Sequence, residues 1–237
     1  MLLTVVVIIA NVFIIMGIPP VVFIGGELHF VISKELHLSN DEFSNKDVKA
    51  LRHLKSLEKF EMYGTKITDI SFLDNMGNLK EFDLLCNPEW QITDFKPLSN
   101  CKKLELFRGC NLGISDLSAF KELTNLKRLY VEALHVYNRA NIDSNINDIS
   151  DIKYLVNLEA FAIVGNNISD ISALKYCTKL ESVALYGVTA TDHSALFELP
   201  NLKRIYTDEY VLTKDEIREL EAKGVYVYEY EQSNGTP

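Results

Sequence analysis

Six aspartates recur at one position of a repeated pattern, and they are the residues whose spacing could do chemistry. Calcium prefers carboxylate oxygens, so a row of such side chains could bind this ion. One carboxylate per repeat gives few ligands at any point, whereas aspartate also caps a short helix by accepting backbone N–H bonds. Capping explains every copy by one mechanism, and we predict it for all six: Asp69, Asp94, Asp116, Asp148, Asp170 and Asp192.

The other reactive side chains form no catalytic pattern. His193 stands where other repeats have an apolar residue, which favours a partly buried structural histidine over a metal ligand or a base. The sequence contains no H-E-x-x-H, G-x-S-x-G or G-x-x-x-x-G-K motif. We predict no catalytic residue, no metal and no cofactor. An enzyme built on the same repeat scaffold is kept as an alternative to the binding functions discussed below.

The four cysteines include no C-x-x-C pair, so neither a zinc ribbon nor a redox motif is expected. Cys101 and Cys177 occupy a position that other repeats fill with Met or Leu, which favours small buried hydrophobic residues. Cys86 and Cys110 end neighbouring predicted strands. A disulfide between them is an open alternative, because the sequence does not supply the Cα distance that it needs.

The elements that hold these residues follow a template of 22 residues, L-x-x-L-x-L-x-x-N-x-I-x-x-I-x-x-L-x-x-L, which is clearest over 157–180. Self-similarity at such a period predicts a solenoid, in which no unit buries its apolar face alone. The first half of each unit alternates like a strand, and the second half places apolar residues at every third position. That spacing favours a 3₁₀ or short helical return. Stacked units would form a parallel sheet on the concave side, with the returns on the convex side.

Seven strands are predicted within residues 57–212. The interval between strands is 22 residues except after the second, where it is 25, and after the fourth, where it is 32. The longest interval reflects about ten residues inserted within 135–145. Each strand segment opens on a leucine: Leu57, Leu79, Leu104, Leu126, Leu158, Leu180 and Leu202.

Both ends of the array are predicted to be capped, because a terminal repeat would otherwise expose its core. Residues 27–56 form the N-terminal cap, in which Leu36 and Leu38 alternate as in a short strand. Residues 213–237 form the C-terminal cap and tail. There the T-x-x-E spacing after residue 212 predicts a capping box, Gly224 ends the helix, and alternating residues then predict an edge strand.

The N-terminal segment, residues 1–26, has no charged side chain and is about long enough to cross a bilayer. Pro19 and Pro20 would kink or end a helix near Ile18. No A-x-A cleavage site is evident, which favours a retained membrane anchor over a removed signal peptide. An apolar capping segment, or a start codon placed inside a longer protein, is the remaining alternative.

Four short motifs give the repeats a family likeness: ITDI at Ile67, ISDL at Ile114, INDI at Ile146 and ISDI at Ile168. They resemble the units of internalin-type bacterial leucine-rich repeat proteins over roughly residues 36–212. This resemblance implies an α/β leucine-rich repeat solenoid, right-handed, with about seven repeats and two caps. It also implies a curved, non-catalytic recognition domain that is usually exported. The repeats also resemble cytosolic phosphatase-regulating proteins, which leaves the compartment open.

Two rows of side chains are predicted to project from the concave sheet, because alternate strand residues face outward. The first row is Glu61, Asp83, Arg108, Tyr130, Ala162, Ala184 and Tyr206, and the second row is Tyr63, Leu85, Cys110, Glu132, Val164, Tyr186 and Asp208. The second row is unusually apolar for a solvated surface, and tyrosines with an apolar strip rimmed by charge are typical of interfaces. The 135–145 insertion, with Tyr137 and Arg139, is a second candidate. The predicted partner-binding residues are Tyr63, Leu85, Arg108, Tyr130, Glu132, Val164, Tyr186 and Tyr206.

The function that these observations favour is non-catalytic recognition of a protein partner through the concave face. The net charge of −9 argues against a nucleic-acid partner, because such binding depends on Lys and Arg neutralising phosphates. An N-terminal anchor would place the repeats at a membrane, outside the cytoplasm. The alternative is a cytosolic regulatory scaffold that binds an enzyme and positions it.

Overall fold

The computed structural model of the protein describes residues 21–24, 27–30, 32–39, 43–85, 92–110, 112–131 and 146–230. In this part of the chain, an antiparallel hairpin is followed by one sheet of nine parallel strands whose spatial order is the order of the sequence. The strands are β1 (Val21–Ile24), β2 (Glu27–Phe30), β3 (Glu35–Ser39), β4 (Lys59–Tyr63), β5 (Glu81–Leu85), β6 (Leu106–Cys110), β7 (Arg128–Val131), β8 (Ala160–Ile168), β9 (Ser182–Val188), β10 (Arg204–Asp208) and β11 (Tyr226–Tyr230).

Short returns connect the strands, and their three-residue apolar period produces 3₁₀ helices, as predicted. Each return buries the apolar residues of its period, so strand and return close one core layer per repeat. The returns are α1 (Val48–Leu51), η1 (Ser71–Asn75), η2 (Lys96–Asn100), η3 (Ser118–Phe120), η4 (Ser150–Tyr154), η5 (Ser172–Tyr176) and α2 (Ser194–Phe197), and α3 (Lys214–Ala222) precedes the last strand. The predicted solenoid is confirmed.

The predicted capping role of the six aspartates is also confirmed. Each carboxylate accepts a hydrogen bond from the backbone N–H two residues later, at the first residue of the return, over 2.7 to 3.0 Å. This geometry is an Asx turn, which satisfies a donor that the helix itself leaves unpaired. The aspartate therefore precedes the helix and is not part of it, while its carboxylate accepts the N–H of the first helical residue.

A column of asparagines joins neighbouring repeats at the corner where each strand begins. Each side-chain amide donates to a backbone carbonyl of the preceding repeat over 2.7 to 3.1 Å. These bonds satisfy carbonyls that no strand or return uses, so they hold one repeat in register with the next. The residues are Asn78, Asn125, Asn157 and Asn201.

The N-terminal end departs from the predicted 1–26 boundary. Val21–Ile24 form a strand of the antiparallel hairpin, and Ile24 is fully buried in the core. A helix that runs through residues 21–24 is excluded by this hairpin. Within the described ranges, no helix has the length and apolar character that crossing a bilayer requires. Residues 1–20 lie outside those ranges.

The C-terminal cap forms as its sequence indicates. Thr213 Oγ1 accepts the backbone N–H of Glu216, and the Glu216 carboxylate accepts the backbone N–H of Thr213, which completes a capping box. Gly224 takes a φ of +85°, a conformation that favours glycine and ends the helix. The chain then enters β11, which lies parallel to β10 at the edge of the sheet.

Candidate functional site

The concave face of the sheet carries the two predicted rows of side chains in register. Residue 108 lies opposite Asp83 on β5 and Tyr130 on β7, so Arg108 keeps its place in the first row. Of the predicted residues, six are half-buried on this face, namely Tyr63, Leu85, Arg108, Tyr130, Val164 and Tyr206. Glu132 and the 135–145 insertion lie outside the described residues.

The side chain of Tyr186 is less exposed than predicted. It lies in the second predicted row, opposite Val164, yet only 5% of its surface is exposed. The reason is that Ala162 and Ala184, in the adjacent row, are too small to keep its ring away from the sheet, and the three residues form one apolar cluster. Tyr186 therefore supports the surface from beneath, and its neighbours Tyr130 and Tyr206 present the accessible aromatic area.

The half of the face formed by β3–β6 is a polar network. Arg108 Nη1 donates to Asp83 Oδ2 over 2.9 Å, and Tyr63 Oη donates to the same oxygen over 3.5 Å. Burial and the neighbouring Asp83 carboxylate raise the pKa of Tyr63, so the hydroxyl keeps its proton. On β4, the Glu61 carboxylate accepts from Lys59 over 2.8 Å and lies 2.9 Å from His37 Nδ1 on β3. The Lys59 bond, with the His37 contact, holds the pKa of Glu61 below its ordinary value.

The half formed by β7–β11 is aromatic. The Arg108 guanidinium lies 5.6 Å from the centroid of the Tyr130 ring, a cation–π contact that joins the two halves. At the far end, the rings of Tyr206 and Tyr228 stack with centroids 4.8 Å apart and planes 12° apart. Between Tyr130 on β7 and Tyr206 on β10, Ala162 on β8 and Ala184 on β9 form the low centre of this surface. The result is an apolar platform of alanines flanked by tyrosine rings.

The remaining reactive groups serve the fold. His193 is buried, with Nδ1 2.9 Å from Glu216 Oε1 and Nε2 2.9 Å from the Ala190 carbonyl oxygen, as expected for a structural histidine. Burial raises the pKa of the Cys101 and Cys177 thiols to about 12, so neither supplies a thiolate at neutral pH. Among the described residues, no three His, Cys, Asp or Glu side chains group to hold a metal ion. Cys86 lies outside those residues, so the Cys86–Cys110 alternative is untested.

Two features of this face were missed by sequence reasoning. The Asp83–Arg108 ion pair joins residues on different repeats; the two residues were predicted in one row, but spacing alone does not predict that their side chains pair. Tyr228 lies in the C-terminal cap, outside the repeat template, yet it continues the row of Tyr206. The alternation of tyrosines at 226, 228 and 230 was the available signal.

No protein-family model matches the sequence, and no curated protein matches it. Solved structures do match. An internalin (inlF) from Listeria monocytogenes is 22% identical, with a TM-score of 0.54, over 84% of this chain and 59% of its own. Internalin C2 from the same organism is 19% identical, with a TM-score of 0.52, over 77% of this chain and 85% of its own. A leucine-rich repeat protein from Leptospira interrogans is 16% identical, with a TM-score of 0.56, over 82% and 48%.

The chain spans about three-fifths of the length of the inlF structure. These similarities cover 77–84% of this chain, and at these identities they establish the fold. The strands, the 3₁₀ returns and the capped ends described above agree with it. The chain therefore has the internalin-like leucine-rich repeat fold.

Proposed function

We propose that this chain is a non-catalytic recognition module that binds a protein partner through its concave face. The observation that carries the proposal is the aromatic platform of Tyr130, Tyr206 and Tyr228, which adjoins the Asp83–Arg108 network on the same sheet. Tyrosine and arginine are the residues that contribute most to protein interfaces, since they combine large apolar contact with hydrogen bonding. Their side chains are already ordered by each other, which lowers the entropy cost of binding.

A site-specific photo-cross-linker tests the location of this interface. We would place benzoylphenylalanine at Tyr206 or Arg108 and irradiate the cells that make the protein. Tyr176 is the matched control, because it is an exposed tyrosine (53%) on η5, on the convex side. We expect one discrete cross-linked protein from the two concave positions and none from position 176. Equal labelling from all three positions would contradict a concave interface.

Substitutions then test the energetic role of the platform. Tyr130→Glu combined with Tyr206→Glu should weaken capture of the cross-linked partner by about tenfold or more, because charge replaces two aromatic contacts. Tyr176→Glu should leave capture unchanged. Thermal unfolding of all variants controls for folding. Undiminished capture by a folded double variant would refute the assignment.

For the compartment, we propose a retained N-terminal anchor with the repeats outside the cytoplasm. The support is the uncharged sequence of residues 2–20, which is within the length of a single membrane span once the hairpin at Val21–Ile24 is excluded. Protease shaving of intact cells tests this topology by following a C-terminal tag beside a cytosolic control protein. Loss of the tag while the cytosolic control stays intact would support an anchored chain with its repeats outside the cytoplasm. A tag that is protected until the cells are lysed favours the cytosolic scaffold.

A further inference from the structure

The last strand, β11, has an open edge in the described part of the chain, where its one neighbour is β10. Tyr226 N–H donates to the Lys203 carbonyl over 2.8 Å, and the Tyr230 carbonyl accepts from Glu209 N–H over 3.1 Å. Because backbone groups alternate sides along a parallel strand, residues 226, 228 and 230 face β10. The N–H and C=O groups of Val227 and Glu229 therefore point away from the sheet.

This edge lacks the features that usually prevent strand pairing. The sequence YVYEY contains no proline and no lysine, and the register with β10 runs without a bulge. Its side chains are open as well, since 68% of the Tyr226 surface and 48% of the Tyr228 surface are exposed. An uninterrupted edge with exposed aromatic residues is a template for another strand.

We propose that β11 is a dimerisation edge, at which two copies of this chain pair their last strands antiparallel about a twofold axis through Tyr228. This register places Val227 opposite Glu229 of the second copy, and Glu229 opposite its Val227. Both are positions whose backbone groups point outward, so each pair exchanges two hydrogen bonds and the edge gains four. The two nine-stranded sheets then form one continuous sheet.

The second copy fits this edge for reasons of charge and shape. In the symmetric register, each Glu229 faces a valine, so no like charges lie directly opposite one another. The two Tyr228 side chains form the pair on the axis, where strands approach most closely, and each ring is already held by its stack on Tyr206. A twofold contact also closes on itself, whereas pairing β11 with β3 of another copy would continue without end.

Net charge sets the conditions under which the pair forms. Each copy carries −9, so long-range repulsion opposes association, and salt screens that repulsion. The backbone hydrogen bonds and tyrosine contacts act at short range and are little affected. Dimer formation should therefore increase with ionic strength.

Cysteine cross-linking of the full chain tests the register. In Tyr228→Cys, the two new thiols lie opposite each other in a pair without hydrogen bonds, close to the spacing of a disulfide. Mild oxidation should convert most of this variant to a covalent dimer that reductant reverses. Tyr226→Cys is the matched control, because residue 226 faces residue 230 of the second copy and not itself. Combining Tyr226→Cys with Tyr230→Cys should restore the cross-link.

A charge variant gives an independent measurement. Tyr228→Lys places two like charges on the axis, and should return a species of twice 26.9 kDa to the monomer mass in light scattering. Tyr176→Lys, on the convex side, should remain dimeric. Equal cross-linking of Tyr226→Cys and Tyr228→Cys, a ladder of larger oligomers, or a parental chain that stays monomeric in high salt would each overturn the proposal.

Discussion

The ring of Phe107 occupies the space that a side chain at Gly109 would need. A Cβ at residue 109 would lie 2.7 Å from Phe107 Cε1 and 3.0 Å from Leu112 Cδ1. Position 109 lies opposite Leu84 and Val131, which are buried in the neighbouring repeats. In the third repeat, the Phe107 ring and Leu112 therefore occupy the space that a side chain fills in each neighbouring repeat. The ring also contacts that of Phe120, with centroids 4.9 Å apart.

This exchange predicts that Gly109→Ala overpacks the core. The extra methyl group should lower the free energy of unfolding by about 1–3 kcal/mol, since neighbouring side chains must leave their rotamers. Urea denaturation of the variant measures the loss. Gly77→Ala is the matched control, because the nearest atom to its Cβ would be the Asn100 carbonyl oxygen at 4.0 Å. That substitution should be close to neutral or slightly stabilising.

A second variant shows whether the ring causes the loss. Phe107→Leu removes part of the ring volume, so Gly109→Ala should be less destabilising in that background than in the parental chain. If the two substitutions were simply additive, Phe107 would not be the group that excludes a side chain at position 109.

The Asx turns predict a stability cost that conservative replacement avoids. Asp170→Ala leaves the Ser172 N–H, now bonded over 2.8 Å, without its acceptor. The free energy of unfolding should fall by about 1 kcal/mol, as for a lost helix cap. Asp170→Asn keeps a side-chain oxygen and should recover most of this loss. Asp151→Ala is the control, because the Asp151 carboxylate makes no hydrogen bond with the described residues, and a comparable loss there would contradict the cap.

The same aspartates predict a dependence of stability on pH. Hydrogen bonds from the Ser118 side chain and backbone N–H lower the pKa of Asp116, and those from Ser172 lower the pKa of Asp170. Because the folded pKa lies below the unfolded one, the stability is fully present above the unfolded pKa of about 4. It is lost as pH falls through the lower folded pKa. Urea midpoints should therefore fall below pH 4, and an Asp116→Asn/Asp170→Asn variant should show a shallower fall.

The fold could be predicted because, in each repeat, the spacing of the apolar residues alone indicates which of them are buried in the core. Leu158, Phe161 and Ile163 are buried as the alternation requires, and Ile168 and Ile171 as the three-residue period requires. Spacing also identified which residues face the concave side, since that choice depends only on strand alternation. What surrounds a strand residue on that face does not follow from spacing.

The exposure of Tyr186 illustrates this limit. Strand alternation predicts the face of the sheet on which Tyr186 lies. How deeply its ring is buried depends on the small size of the alanines in the adjacent row. Salt bridges between repeats are equally hidden. Glu58 lies between Lys34 of the preceding strand segment and Lys80 of the following one. The hydrogen bonds from these two lysines lower the pKa of Glu58 to about 2. Such columns of charge emerge only once the register of neighbouring repeats is known.

The C-terminal cap depends on one carboxylate, Glu216, that serves two elements. It accepts the Thr213 N–H over 2.7 Å and contacts His193 Nδ1 at 2.9 Å, so it fastens α3 to the last repeat. Partial burial opposes its ionisation, but the bonds from Thr213 and His193 outweigh this effect and hold the pKa of Glu216 below its ordinary value. Glu216→Ala should lower the free energy of unfolding by about 1–2 kcal/mol, in the range of a lost capping residue.

The location of the damage distinguishes this role from a general loss of stability. Amide hydrogen exchange should quicken most in α3 and β11, while β5 stays protected, because the contact is confined to the cap. Glu219→Ala removes an exposed partner of Lys223 and should change stability by less than about 0.5 kcal/mol. Uniform exchange along the sheet in Glu216→Ala, or an equal loss in Glu219→Ala, would show that the cap does not depend on Glu216.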